Sequence, residues 1–478
     1  MAAAEAAPLA KVGGLGDVVG ALPKELKRLG AEIKIIIPFY GSIDQKKFPV
    51  AQIGKPLTIV TGGGKETFSV WHHYLGPEKI EIILLRHRFF DGQEVYRGGR
   101  VGSHDRYTRT PADIKRFAFF SAAALAAIKT LGWQPDVIHC HDWHTALIPD
   151  LLKTVYKNER FFSKTRTLYT IHNLANQGMV GPEIIGFTKI DPTLPSIRAD
   201  LKNGDLNFMV QGILGADLVN TVSPTYSKEI LHHYQGAGIE KILRKRKKSL
   251  SGILNGIDTE LFNPATDPLI AQNYTFKTIK NKTINKSALE KAAFWQKNKT
   301  PIVGLVSRLV WQKGLELIDD VLLELPCRFV ILGSGNKDIE DKLLGLAKKY
   351  PDKFFVKIGF DLKLAQLIYA GSDIFLMPSQ FEPCGLSQMV AMRYGTIPVV
   401  RKTGGLADTV NKLNGFAYLE QKQKNLIKAL KSALDTYSTK PDKWLKLQKK
   451  GMDTDFSWGE AAKKYLRIYN KLILANIK

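Results

Sequence analysis

The chain runs through one pattern twice, and that pattern sets what it can fold into. Short β-branched apolar runs alternate with stretches of helical periodicity. In the first half the runs cover residues 31–40, 79–87, 135–144, 165–173 and 216–224, and a helix over 117–132 ends on Gly132. The series restarts at residue 301, with runs over 301–309, 328–335, 353–360, 372–379 and 396–401. An amphipathic helix is expected over 314–325, closed by Pro326. Buried strands alternating with helices make parallel sheets covered on both faces, joined by right-handed crossovers. The expected fold class is therefore α/β, with two doubly wound Rossmann-like domains.

A polar, Asn- and Lys-rich stretch over 262–299 separates the halves. The expected division is an N-terminal domain over 1–254, a C-terminal domain over 255–455, and a terminal helix over 456–478. Ser457 and Glu460 have capping-box spacing, and Tyr465, Ile468, Tyr469, Leu472 and Ile473 recur at helical intervals. Such a helix needs a surface to dock on, and the N-terminal domain is the expected one. Doubly wound sheets bind ligands beyond the carboxyl ends of their strands, so two of them place the site in the cleft between.

Composition removes other classes. Among 478 residues, 44% hydrophobic and 24% charged exclude general disorder. Three cysteines, Cys140, Cys327 and Cys384, make no disulfide framework and point to a reducing compartment. The longest apolar stretch, 117–128, is too short to span a bilayer, and no signal peptide is read at the start. Lys plus Arg is 69 and Asp plus Glu 45, a charge of 69 − 45 = +24. The only dense basic block is Arg244 to Lys248. No aromatic residue interleaves it, so it is expected to be a solvated helix end rather than a nucleic-acid surface. The global positive field would still attract a polyanion such as a sugar nucleotide.

Five motifs fall where strands end. Lys11, Gly13, Gly14 and Asp17 open a helix with a glycine turn, which suits phosphate, although the spacing is neither a P-loop nor a dinucleotide fingerprint. His139, Cys140, His141 and His144 surround Asp142 but match no standard zinc spacing. Alternation along a strand would also split Cys140 from His139 and His141. His172 follows the next strand. Arg308 and Lys313 follow the first strand of the second half, two cations suited to a diphosphate. Glu382 precedes Cys384, Gly385, Leu386 and Ser387 at a helix start, and Thr403, Gly404 and Gly405 repeat that arrangement after the next strand. No histidine lies within local reach of Cys384, so it is a weak nucleophile candidate.

In this order K-V-G-G-L-G-D-V, H-D-W-H, I-H-N, N-G-I-D, S-R-L-x-x-Q-K-G, E-P-C-G-L and T-G-G-L-x-D-T resemble the bacterial glycogen synthase and plant starch synthase family over nearly the whole chain. The wording around Glu5 and Glu382 looks closer to the cyanobacterial and plastid soluble starch-synthase branch. The resemblance implies a GT-B fold and retaining transfer of glucose from ADP-glucose to the non-reducing end of an α-1,4-glucan. It also implies no metal, no cofactor beyond the donor, and a bacterial cytosol or plastid stroma as location. Carried over by motif, Lys11 and the Gly13–Gly14 turn lie near donor phosphates and acceptor. Asp142 and His172 face the transferred glucose, and Asn255 lies near the donor at the interdomain junction. Arg308 and Lys313 hold the diphosphate and Glu382 contacts the glucosyl unit. Cys384, Gly385, Leu386 and Thr403 to Gly405 complete the donor pocket.

Two departures from the family pattern carry expectations. An apolar strand normally precedes the A-E-x-x-P segment, and here most of it is missing, so a sheet position is expected to be left unpaired. Many related enzymes also carry a second Glu eight residues after the first. Here that position is Val390, so Glu382 alone takes a role. The residues do not choose between an adenine and a uracil donor. A glucan-binding or initiation scaffold of the same fold remains the alternative to an enzyme.

Overall fold

The computed structural model describes residues 1–96 and 111–475. In the N-terminal half, strands β1 (Lys34–Pro38), β2 (Ala51–Thr61), β3 (Gly64–Leu75) and β4 (Ile80–Arg86) pair in the order β1-β4-β3-β2. Next come β5 (Val137–His141), β6 (Arg166–Ile171), a short antiparallel ladder of β7 (Met179–Val180) with β8 (Leu206–Asn207), then β9 (Leu218–Thr221) and β10 (Leu250–Gly252). Strands β5, β6, β9 and β10 are parallel neighbours in the order β10-β9-β6-β5.

Ala2 joins the two groups. It bridges Ile36 of β1 on one side and Cys140 of β5 on the other, both parallel. The Ala2 N–H donates to His139 O at 2.9 Å, and the Ala3 N–H donates to Ile36 O at 3.1 Å. The expectation of an unpaired position is thus overturned. Three residues suffice because both neighbouring strands present their backbone groups to the same short segment. The β2–β3 hairpin departs from the expected strand pattern, since its mostly exposed, polar outer strand carries little apolar signal.

The second half forms one sheet of β11 (Ile302–Val306), β12 (Arg328–Gly333), β13 (Phe354–Ile358), β14 (Ile374–Met377), β15 (Ile397–Arg401) and β16 (Phe416–Tyr418). All pairings are parallel, in the order β13-β12-β11-β14-β15-β16. Strand order reverses between β11 and β14, which makes their carboxyl ends the switch point where ligands bind. The long amphipathic helix expected over 314–325 is broken. Ile318 is extended and Asp319 caps a helix of only Asp320–Leu323 through the Leu322 N–H, because a capping aspartate competes with continuation.

Outside the β2–β3 hairpin, the strands of both lobes are largely buried. Helix Pro111–Thr130 places Phe117, Phe119 and Phe120 in the first core, each worth roughly 1.5–3 kcal/mol by burial. On the opposite face Val18, Leu22 and Leu26 of helix Gly14–Arg28 meet Trp458, Ala462, Tyr465 and Leu472 of the terminal helix Trp458–Leu474. The terminal helix therefore lies on the N-terminal lobe; residues 476–478 of the segment lie outside the described residues.

The chain crosses between lobes twice, and the crossings are tied. The Ile257 N–H donates to Phe456 O at 2.8 Å, and a Cβ on Gly256 would stand 2.6 Å from Trp458 N. The polar stretch over 262–299 is not a free linker, because Ile270, Tyr274 and Trp295 enter the C-terminal core. No described helix is long and apolar enough to cross a membrane.

Candidate active site

The loops leaving β11 and β14 converge at the switch point. Lys313 closes a short turn, Trp311–Lys313, and Gly314 follows at φ +67. A Cβ on Gly314 would lie 2.0 Å from Pro378 O, so only glycine lets this turn press against the end of β14. That contact fixes Lys313 Nζ 2.6 Å from Glu382 Oε2. The Ser379 hydroxyl donates to the same oxygen at 2.9 Å, and Glu382 is only 6% exposed. A buried carboxylate tolerates such a site only when paired and hydrogen-bonded. Arg308 is exposed at the same strand end and has no ion pair among the described residues.

Helix Ser387–Arg393 starts beside this pair. The Gly385 and Leu386 N–H groups, with Gly385 at φ +70, have no acceptor among the described residues. The Cys384 thiol is buried, and burial pushes it up to about 12, which removes it as a nucleophile. The Asn255 backbone N–H points to that sulfur, while Asn255 Oδ1 is buried without a partner among the described residues.

The turn at Thr403 to Gly405 is a correction. Its N–H groups do not face the cleft as free donors. Gly404 N donates to Glu229 Oε2 at 2.9 Å and Gly405 N donates to Glu382 O at 3.1 Å. The glycines serve close packing instead. Cβ atoms there would lie 1.9 Å from Glu382 O and 2.0 Å from Cys384 O. The turn buttresses the Glu382–Cys384 loop from behind.

The N-terminal lobe supplies the facing wall. Glu5 Oε2 accepts the Val12 and Gly13 N–H groups at 2.6 and 2.8 Å, and its other oxygen accepts the Tyr96 hydroxyl. The Gly13 N–H is therefore occupied, and Glu5 sets the shape of the glycine turn. Lys11 Nζ lies 2.6 Å from Asp17 Oδ1 in a half-exposed pair. A Cβ on Gly14 would sit 4.0 Å from Leu386 Cδ1, which brings the two glycine turns face to face across the cleft.

Asp142 follows β5 at φ +53 and ψ −175, a backbone conformation that non-glycine residues avoid. Its Oδ1 accepts the His172 N–H at 2.7 Å. Burial raises the Asp142 carboxyl to about 7, against the pull of the His172 and Asn173 N–H groups, and lowers the His172 imidazole to about 3. Asn173 Nδ2 reaches Gln312 Oε1 of the other lobe at 3.3 Å. Burial keeps the three histidines of the β5 segment neutral: His144 lies between Tyr96, Phe117 and Trp143, and the His139 and His141 rings pack, tilted, at 4.0 Å. Cys140 lies in the core beneath β5, apart from them.

One gathered site thus contains Arg308, Lys313, Glu382 and the Gly385–Leu386 turn, facing Gly14, Asp142 and His172. The motifs do not single out Glu229 or Phe360, and they give no role to Gln312, inside the S-R-L-x-x-Q-K-G motif. Phe360 is 89% exposed at the carboxyl end of β13, and its only sequence signal is an aromatic residue directly after a strand-terminal glycine.

The family described as "Starch synthase catalytic domain" matches residues 1–245, and "Glycosyl transferases group 1" matches residues 288–450. Glycogen synthase of Thermosipho africanus is 41% identical, covering 98% of both chains, and that of Geotalea daltonii is 42% identical, covering 99% of this chain and 98% of its own. The chain belongs to the glycogen and starch synthase family. The catalytic domain of starch synthase IV from Arabidopsis thaliana, solved bound to ADP and acarbose, superposes with TM-score 0.90 at 35% identity, covering 99% of this chain and 98% of its own. The two facing sheets are accordingly the GT-B fold of that family's glucosyltransferases. Within the family pattern Val390, where many related enzymes carry a second carboxylate, is buried in the C-terminal core.

Proposed function

We propose that this chain transfers glucose from ADP-glucose to the non-reducing 4-hydroxyl of an α-1,4-glucan, with retention of configuration. The observation that carries the reading is the Lys313–Glu382–Ser379 cluster at the switch point of one lobe, facing the strained Asp142 and its bonded His172 on the other. ADP and acarbose bound to the Arabidopsis relative support the same donor and acceptor classes here.

Arg308, Lys313 and the Gly385 and Leu386 N–H groups hold the diphosphate, in fixed positions that need no rearrangement as charge develops. As the anomeric C–O bond breaks, the electron pair leaves with the β-phosphate. The glucosyl ring becomes oxocarbenium-like, and the His172 backbone carbonyl and the Glu382 carboxylate lie where they offset its positive charge. The acceptor hydroxyl attacks from the leaving-group face and gives its proton to a phosphate oxygen. Lys11 reaches the donor phosphates by releasing Asp17, and Asn255 Oδ1 takes a donor from the ligand at the junction. Phe360, exposed just beyond β13 on the same edge of the sheet, would offer a face to the base. This scheme uses no metal and no cofactor. The scaffold alternative drew on an unpaired first-strand position, which Ala2 fills.

The test is incorporation of labelled glucose into glycogen from ADP-glucose and, in parallel, UDP-glucose, each with and without EDTA. Transfer from ADP-glucose that EDTA leaves unchanged is expected. Glucan binding without transfer from either donor would overturn the reading.

A further inference from the structure

His139 of β5 and the terminal helix meet in one buried chain of hydrogen bonds. Tyr469 Oη lies 2.7 Å from His139 Nδ1, and His139 Nε2 lies 2.5 Å from Thr170 Oγ1. The Thr170 hydroxyl donates to Asn220 Oδ1, and Asn220 Nδ2 donates to Tyr465 Oη at 3.2 Å. Tyr465 and Tyr469 stand one turn apart on the terminal helix, so a single face supplies both hydroxyls.

This arrangement fixes proton positions. Thr170 has one hydroxyl proton and gives it to Asn220, so its oxygen accepts from His139 Nε2–H. Burial keeps His139 neutral, which leaves Nδ1 bare to accept the Tyr469 hydroxyl. The His139 ring in turn packs against that of His141, tilted by 34° with centroids 4.0 Å apart. His141 Nδ1 lies 3.0 Å from His172 Nε2, while His141 Nε2 is buried without a partner among the described residues. A buried orphan N–H is rarer than a bare acceptor, so the His141 proton sits on Nδ1 and is donated to His172.

We infer that Tyr469 is a positioning residue for glucosyl transfer: by fixing the His139 ring, which packs on His141, it holds the hydrogen-bonded His172 ring in one orientation at the cleft. The last helix of the chain thereby becomes part of the acceptor-side wall, although it follows the whole C-terminal lobe in sequence. The inference rests on the transfer reading above for its consequence, but not for its geometry.

Tyr469→Phe removes one hydroxyl and keeps the ring. It is expected to lower kcat for transfer from ADP-glucose to glycogen about tenfold with KM for both substrates held within about twofold, since geometry rather than binding is lost. Thr170→Val attacks the same His139 tautomer from its other nitrogen and gives the same split. Nitrogen-15 spectra of the imidazole rings are expected to pass from a single tautomer to a mixture at His139 in Tyr469→Phe. Leu472→Ala, which only loosens the packing of that helix, lowers the melting temperature and leaves kcat unchanged. Unchanged kcat and ring spectra in Tyr469→Phe, or an equal kcat loss in Leu472→Ala, would overturn the inference. Wild-type protein that transfers no glucose would sink the proposed function alone, because the ring spectra still decide the tautomer.

Discussion

Asp142 and Glu382 approach one cleft from opposite lobes, both buried, and the protein compensates them differently. Glu382 has a full counter-charge in Lys313 and a hydroxyl from Ser379 on the same oxygen. Asp142 has backbone N–H groups and no cation, and burial holds its carboxyl at about 7. One carboxylate is built as half of an ion pair. The other is built as a hydrogen-bonding group whose carboxyl titrates at about 7. The contrast assigns charge chemistry to the C-terminal lobe and orientation to the N-terminal one.

The sharpest way to break this comparison is to remove the counter-charge. Lys313→Ala leaves Glu382 buried beside an uncompensated diphosphate and is expected to lower kcat/KM by about a thousandfold, the scale of losing a preorganised electrostatic partner. Glu382→Gln keeps the shape and the Ser379 contact and should cost about a hundredfold. Steady-state transfer assays check both. If the two variants lost less than Asp142→Asn, the division of labour between the lobes would be wrong.

Asp142→Asn retains an acceptor for the His172 N–H, so the expected loss in kcat is only about tenfold. Its sharper signature is in stability. The Asp142 carboxyl has a folded value of about 7 against 3.8 for the free group, so the fold binds this proton more tightly than the unfolded chain does. The corresponding stability is fully present below pH 3.8 and is lost as pH rises through 7, by roughly 1.4 kcal/mol for each pH unit climbed between those two values. Melting curves at pH 5 and pH 8 should therefore differ less in Asp142→Asn than in the wild type. An identical pH dependence in the two proteins would show that Asp142 is not the group that titrates.

The same contrast explains how much of the site was legible in the sequence. Arg308, Lys313 and Glu382 could be placed at strand ends because they follow apolar β-branched runs within a few residues, and the structure does bring Lys313 and Glu382 together. Asp142 and His172 could be placed at strand ends for the same reason. The partners that tune them could not be read. Glu5 meets Gly13 through a turn, Tyr469 meets His139 across 330 residues, and the short segment Met1 to Ala3 fills a central sheet position. Such pairings are decided by which strands become neighbours, and the apolar pattern of a parallel sheet is nearly the same in any strand order. The glycines at 404 and 405 mislead for a related reason. A glycine needed for close backbone approach and a glycine that bares an N–H look identical in sequence, and only the position of Glu229 separates them.

Glu229 offers the finest test of the comparison, because it lies outside the charge cluster yet touches its support. It reaches from helix Pro224–Glu229 of the N-terminal lobe to Thr403 Oγ1 and the Gly404 N–H of the C-terminal lobe, beside the Thr225–Asp408 hydrogen bonds. Glycines 404 and 405 in turn press on the backbone that carries Glu382. Glu229→Gln keeps an acceptor for the Gly404 N–H but removes the charge, so it weakens the contact without abolishing it. A half-buried, charge-assisted hydrogen bond of this kind is worth about 1 kcal/mol after solvent screening, which corresponds to roughly a fivefold change. If the N-terminal lobe only orients, that change belongs in the KM for the donor, because closure of the cleft is weakened while the Lys313–Glu382 pair is intact. A fall in kcat with KM unchanged would instead mean that Glu229 acts on the reacting groups through the Glu382 loop, and the boundary between the orienting and the charged lobe would have to be redrawn to include it.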